Sequence, residues 1–230
     1  MIYFDEIFNR AYTLFDDPDI SEQYMYDQAG FQREMLEFLM IGKNKFTSPT
    51  AITDKLIAFE KPEGKLEIIE GTGNDTYALE STPREHSAFS FAIGKDYVAG
   101  TYDEETNTVT FDRPVLEGEK ASVAWFYAGA FKADFSKALR SDFPIDVIMD
   151  KIINILAYAT LSAWGDKEVG RVIEVRNILT DHDFRMYSPA NSANAKVAWR
   201  DQMNRDMDTL VSELNWRILT EPKGGTQFGK

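Results

Sequence analysis

Tyr102-Asp103-Glu104-Glu105-Thr106-Asn107-Thr108-Val109-Thr110-Phe111 reads as a β-hairpin: two alternating segments are separated by residues that favour turns. Outward from it, β-branched and aromatic residues gather in short runs bounded by Gly, Asn, Asp and Pro. The runs predict strands over 66–69, 77–79, 87–93, 97–102, 108–111 and 121–128. Pro114 and Gly118 make the bend that leads to the last run, which is expected to pair back onto the hairpin. Tyr102, Trp125 and Tyr127 form a candidate exposed aromatic face for sugar or protein, and the competing reading is that alternate members fill the sheet core.

Both flanks change to helical period. Phe4, Ile7, Phe8, Ala11, Leu14 and Phe15 recur at helical spacing until the cluster Asp16-Asp17-Pro18-Asp19. A second helix is expected from a cap at Ser21 to Gly42, with Gly30 inside it as a mild cost or a point where a neighbouring helix comes close. Beyond Ser141-Asp142-Phe143-Pro144, apolar residues from Ile145 to Leu161 cover most of a helix circumference, which fits the middle of a bundle. Gly165 is expected to close that helix, with a further helix around Val169–Ile178 and a loop over 181–189. A last helix carries Trp199, Met203, Met207, Leu210, Leu214 and Ile218 as a seam. The fold expected is therefore α+β. Helices from 1–50 and 133–220 form one discontinuous bundle, 51–132 form an inserted antiparallel β-sandwich-like module, and 221–230 form a flexible tail.

Composition narrows the function. The chain has 230 residues and a formal charge of −13, with no cysteine, so disulfides, thiolate metal sites and cysteine nucleophiles are excluded. The acidity lies in the first two thirds: 1–50 carry nine acids against four bases, 51–132 fifteen against eight, and 133–230 fourteen against thirteen. Tight wrapping of nucleic acid needs cations on phosphates, whereas a conduit through which DNA slides is served by weakly repelling walls. Asp5 and Glu6 stand where a signal peptide would be basic, and Asp146, Asp150, Lys151 and Asn154 interrupt the most apolar run, so neither export by that route nor a membrane span is expected.

No catalytic, cofactor or metal residues are assigned. Of the two histidines, His86 reads as a solvated loop residue, and Asp181-His182-Asp183 puts three possible ligands side by side with no partner at a helical offset. The carboxylates Asp16 with Asp17, and Asp103 with Glu104, sit in turns; Gly71-Thr72-Gly73 lacks the Lys-Ser/Thr of a phosphate loop.

The run Gly100-Thr101-Tyr102-Asp103, Thr108 to Pro114, Gly118-Glu119 and Ala121 to Tyr127 resembles a strand, turn, strand, Pro-x-x-x-Gly bend and aromatic-ending strand found in β modules of tailed-bacteriophage virion proteins. The helical flanks resemble the head-tail connector or adaptor (neck) proteins of those phages. That resemblance implies a virion protein assembled in the host cytoplasm, whose homo-oligomeric ring joins portal to tail or neck proteins and surrounds passing DNA without reading its sequence. It implies no enzyme activity, no cofactor and no membrane contact. Alternatives are a baseplate or other tail structural protein, or a carbohydrate-binding module on the virion surface. The last helix and the tail are the expected docking surface, through Arg200, Arg205, Arg217 and Trp216.

Overall fold

From the N-terminus the chain forms β1 (Ile2–Tyr3), α1 (Phe4–Tyr12), α2 (Pro18–Tyr26), α3 (Gln28–Gly42), α4 (Thr50–Thr53), β2 (Glu63–Glu70), β3 (Thr76–Ala78), β4 (Ser87–Ile93) and β5 (Asp96–Val98). There follow β6 (Gly100–Asp103), β7 (Thr108–Phe111), β8 (Lys120–Tyr127), β9 (Ala130–Phe131), α5 (Ile145–Thr180) and α6 (Pro189–Leu219). The computed structural model describes residues 1–15, 18–132, 144–180 and 189–219, with side chains described outside 16–19, 133–143, 172–193 and 217–230. The expected Asp16-Asp17 pair, the residues Ser141-Asp142-Phe143 ahead of the long helix and the tail 221–230 lie outside the described residues. The chain is α+β, 51% helical and 24% strand, with antiparallel sheets. Among the described residues no helix is long and apolar enough to cross a membrane.

The hairpin forms as read. Tyr102 stands opposite Val109 and Asp103 opposite Thr108, while Asn107 takes a positive φ of 52° that asparagine tolerates in turns. Asp103 accepts hydrogen bonds from the backbone N–H groups of Glu105 (2.9 Å) and Thr106 (3.4 Å). Bonds from Thr106 and Glu105 hold its carboxyl below the usual range, so this acid serves the turn.

Two of the expected pairings differ. β8 does not return to the hairpin; it lies between β2 and β4 in a sheet of order β2-β8-β4-β5, while the hairpin joins β3 in a second sheet, β3-β7-β6. The run expected as one strand over 97–102 is two strands in different sheets, β5 and β6, with the crossing at Ala99. The inward residues of the two sheets share one core: Phe91, Ile93, Ala121 and Val123 from the first, Val109 and Phe111 from the second, closed by Leu79 and Val115. Phe91 meets Phe111 edge-on at 5.9 Å between ring centroids. That is the contact edge-to-face aromatic pairs prefer.

The long second helix expected from Ser21 to Gly42 is two helices, because Asp27 interrupts it. α2 starts at Pro18, not after a Ser21 cap. Asp27 occupies the cap position of α3: its carbonyl accepts the Phe31 N–H at 2.8 Å and its Oδ1 accepts the Gly30 N–H at 3.0 Å. Gly30 is indeed a close approach, but of Asp27's own carboxylate, since a Cβ there would lie 2.1 Å from Oδ2.

The chain separates into two units, Met1–Glu37 with Phe59–Lys132, and Phe38–Ala58 with Ala133–Lys230. This differs from the expected division at 50 and 133: α1, α2 and the first ten residues of α3 go with the sheets. The cause is pairing that local periodicity does not reveal. β1 joins β9, Ile2 opposite Phe131, and the Phe4 N–H that opens α1 bonds the Gly129 carbonyl at 2.9 Å. Asp27 meanwhile makes an antiparallel bridge to Ser90 on β4.

In the second unit α5 and α6 run antiparallel, with Lys151 paired to Glu213, Ser162 to Asn204 and Glu168 to Lys196. α5 does not end at Gly165 as expected; it continues to Thr180 as one helix. Gly165 instead makes room for α6: an added Cβ would come within 3.1 Å of Arg200 and 3.2 Å of Trp199. Gly42 has a like role at the end of α3, where a Cβ would sit 2.3 Å from the Ala159 carbonyl oxygen. Gly42→Ala is therefore expected to destabilise by about 1–3 kcal/mol, because a backbone atom cannot step aside. Gly170→Ala, with nothing within 4 Å of its Cβ, is expected to stabilise by about 0.5–1 kcal/mol. Urea unfolding of the two variants checks the opposite signs.

Candidate functional site

The candidate aromatic face is not exposed. Trp125 and Tyr127 are each only 3% exposed, and Tyr102 is half-buried against the core. Their polar atoms are engaged inside the first unit. The Trp125 indole N–H donates to Ser81 Oγ at 3.1 Å, and Ser81 Oγ donates in turn to Glu67. Tyr102 donates to Asn107 Oδ1 at 3.0 Å, and the Asn107 amide donates to the carbonyls of Leu79 and Ser81 at 3.0 and 3.3 Å. Its ring stacks on Phe89 at 4.6 Å. Tyr127 donates to Glu60 at 2.7 Å and lies under the Arg84 guanidinium at 4.9 Å. These residues join strands to the 79–81 segment and to Glu60, so no sugar-stacking surface is available at this place.

Glu67 is the unexpected member of the set, a carboxylate only 7% exposed. It faces inward from β2 and accepts from the Glu80 N–H at 2.8 Å and the Ser81 N–H at 3.0 Å, with Lys65 Nζ at 3.3 Å. Burial pushes its pKa up. The bonds from Ser81, Glu80 and Lys65 outweigh that and hold it below the ordinary value of 4.5. Alternation concealed it: Leu66 and Ile68 flank Glu67 as apolar members of the strand, yet they are 61% and 66% exposed and Glu67 is the buried one.

The predicted docking residues on α6 divide. Arg200 is taken up within its own unit by Asp201 at 2.7 Å and Asp166 at 3.5 Å. Arg205 is exposed and donates to Gln202 at 2.7 Å. Trp216 is 70% exposed. Arg217 belongs to α6 but lies outside the residues whose side chains are described. The antiparallel pairing places Trp216 level with the start of α5, where Ile145 and Val147 are 39% and 42% exposed. One end of the helix pair thus presents three large apolar side chains that are partly or largely exposed.

His86 is not a solvated loop residue. It adopts φ 65°, stacks on Tyr3 at 3.7 Å and places Nδ1 3.1 Å from Asp5 Oδ2. This contact helps hold the N-terminal strand against the sheet. Asp181-His182-Asp183 lies outside the described residues. Among those described, no group of three His, Asp or Glu side chains is placed to hold a metal ion.

Charge divides with the units. Read from the sequence, the first unit carries 23 acids against 9 bases, net −14, and the second 15 against 16, net +1. No protein-family model, curated protein or solved structure matches the chain.

Glu67→Gln keeps one oxygen to accept but sets its amide N–H2 against the backbone N–H of either Glu80 or Ser81. It is expected to lower stability at pH 7 by about 1–3 kcal/mol. The folded-state pKa is depressed, so Glu67's contribution is present above 4.5 and fades as pH falls through the lower folded value. Wild-type and variant unfolding curves should therefore converge in acid, which urea titrations between pH 3 and pH 7 check.

Proposed function

We propose that the chain is a structural subunit of a tailed-bacteriophage virion, a head-tail adaptor whose copies close into a ring that joins portal to tail around passing DNA. In this reading the two facing sheets form a β-sandwich module, and the helices of the second unit belong to a bundle that contacts neighbouring subunits. The observation that carries the proposal is the apolar end of the helix pair, Ile145, Val147 and Trp216. Burying an aromatic of that size removes roughly 150–250 Å² from water, on the order of 4 kcal/mol before the costs of association. Tryptophan and arginine are the side chains most often found at the centre of binding energy in interfaces. Arg205 on the same helix supports such a contact, while Arg200, already engaged, is set aside.

Ring closure by head-to-tail contacts needs two different patches on each subunit. The charge difference between the units, −14 against +1, supplies surfaces of unlike character on one chain. The acidic unit suits a wall that DNA passes without adhering. A baseplate or other tail position belongs to the same structural class. The burial of Trp125 and Tyr127 removes the support for the carbohydrate-binding alternative as first located.

Trp216→Ser combined with Val147→Ser is expected to reduce incorporation into particles at least tenfold. Its unfolding midpoint should stay within about 2 °C of wild type, since exposed positions contribute little to stability. Quantifying the protein in purified particles reads the first, and calorimetry the second. Normal incorporation of the double variant would remove the proposal's main support.

A further inference from the structure

A pocket of about 760 Å³ opens in the first unit between α2 and the turn that joins β4 to β5. Glu22 and Tyr26 reach it from one face of α2, being four residues apart, and Asp27 follows at the break before α3. Lys95, Asp96 and Tyr97 line the other side, presented by a tight turn in which Gly94 takes φ 67°. Two tyrosine rings are therefore offered to solvent, Tyr26 at 47% and Tyr97 at 52% exposure.

The polar groups have a definite arrangement. Asp27 Oδ1 is committed to Ser90 Oγ at 2.7 Å and to the Gly30 N–H at 3.0 Å, whereas Oδ2, among the described residues, accepts only the Tyr97 hydroxyl at 3.1 Å. Burial and the neighbouring Asp27 hold the Tyr97 phenol above its ordinary range, so it remains a donor and fixes that carboxylate. Among the described residues no ion pair engages Glu22 or Lys95. The lining holds three carboxylates against one ammonium, within a unit of net −14.

An anion is repelled here, and a neutral sugar leaves the excess charge uncompensated. A planar cation fits both features at once: it can lie on an aromatic face while its N–H groups donate to carboxylates. We propose that this pocket receives the guanidinium of an arginine side chain presented by a partner protein, with Lys95 as the built-in electrostatic competitor at its rim. The inference does not rest on the virion reading and concerns only the chemistry of the partner.

The test is an NMR titration of the full chain with acetyl-Gly-Arg-Gly-amide, its citrulline and lysine counterparts, and cellobiose. The arginine peptide should shift the resonances of residues 22–27 and 94–97, and the citrulline peptide, which has the shape without the charge, should bind at least tenfold more weakly. The lysine peptide should fall between them. Tyr26→Leu should weaken arginine binding about two- to fivefold, and Lys95→Gln should tighten it about threefold by removing a like charge. Circular dichroism confirms that these exposed variants stay folded. Equal binding of citrulline, preference for cellobiose, or weakening by Lys95→Gln would each overturn the proposal. So would binding indifferent to Tyr26→Leu, the mark of diffuse attraction to an acidic surface. None of these outcomes bears on whether Trp216 docks the subunit.

Discussion

One carboxylate, Asp27, sets the course of the N-terminal third. It ends one helix and caps the next, and it also ties both to the outward side of the larger sheet through Ser90 and Tyr97. An uncapped helix end leaves four N–H groups unmatched, so a side chain that satisfies one of them and a strand residue together is hard to replace. The same node brings the Ala29 N–H to Ser90 Oγ at 2.9 Å and leaves Arg33 over the Phe126 ring at 5.3 Å. Through it the sheet gains a helical cover over Ser90 and Phe126, on the face away from the other sheet.

Where α3 backs it, at Ser90 on β4 and Phe126 on β8, the sheet has little room for functional aromatic side chains. β8 turns Val123, Trp125 and Tyr127 inward and Phe126 towards Arg33, which is why its bulky residues are structural. Polar groups carried inside with them had to be matched, and Glu67 with Ser81 and Trp125 shows how: a buried acid is stabilised by backbone donors and a hydroxyl. The excess of acid lies in the first unit, net −14 against +1 in the second.

What the sequence revealed was local. The hairpin at 102–111, the bounds of β4 and β7 and the seam of α6 follow from turn chemistry and period, which neighbours in the chain determine. What it concealed was distant. β8 pairs with β2 and β4, more than 25 residues away, and alternation alone cannot choose between that and the adjacent hairpin. Gly165 carries the composition of a helix end, and only the side chains of Trp199 and Arg200 show it to be a contact. Arg200 likewise looked available until Asp166, 34 residues earlier, was found beside it. Of the candidate sites, Trp216 and Arg205 were legible as exposed residues opposite an apolar seam. The pocket at Tyr26 and Tyr97 was not, because it joins a helix to a turn that lies 70 residues further on.

In the proposed reading the protein acts by the surfaces it shows to its neighbours, chiefly the apolar end of the α5–α6 pair. Electron microscopy of particles that carry the chain addresses this most directly, by locating each copy and the surroundings of Trp216. The account predicts a closed ring at the junction of head and tail, with Trp216 covered by an adjoining protein. Isolated copies elsewhere on the particle, with Trp216 facing solvent, would contradict it.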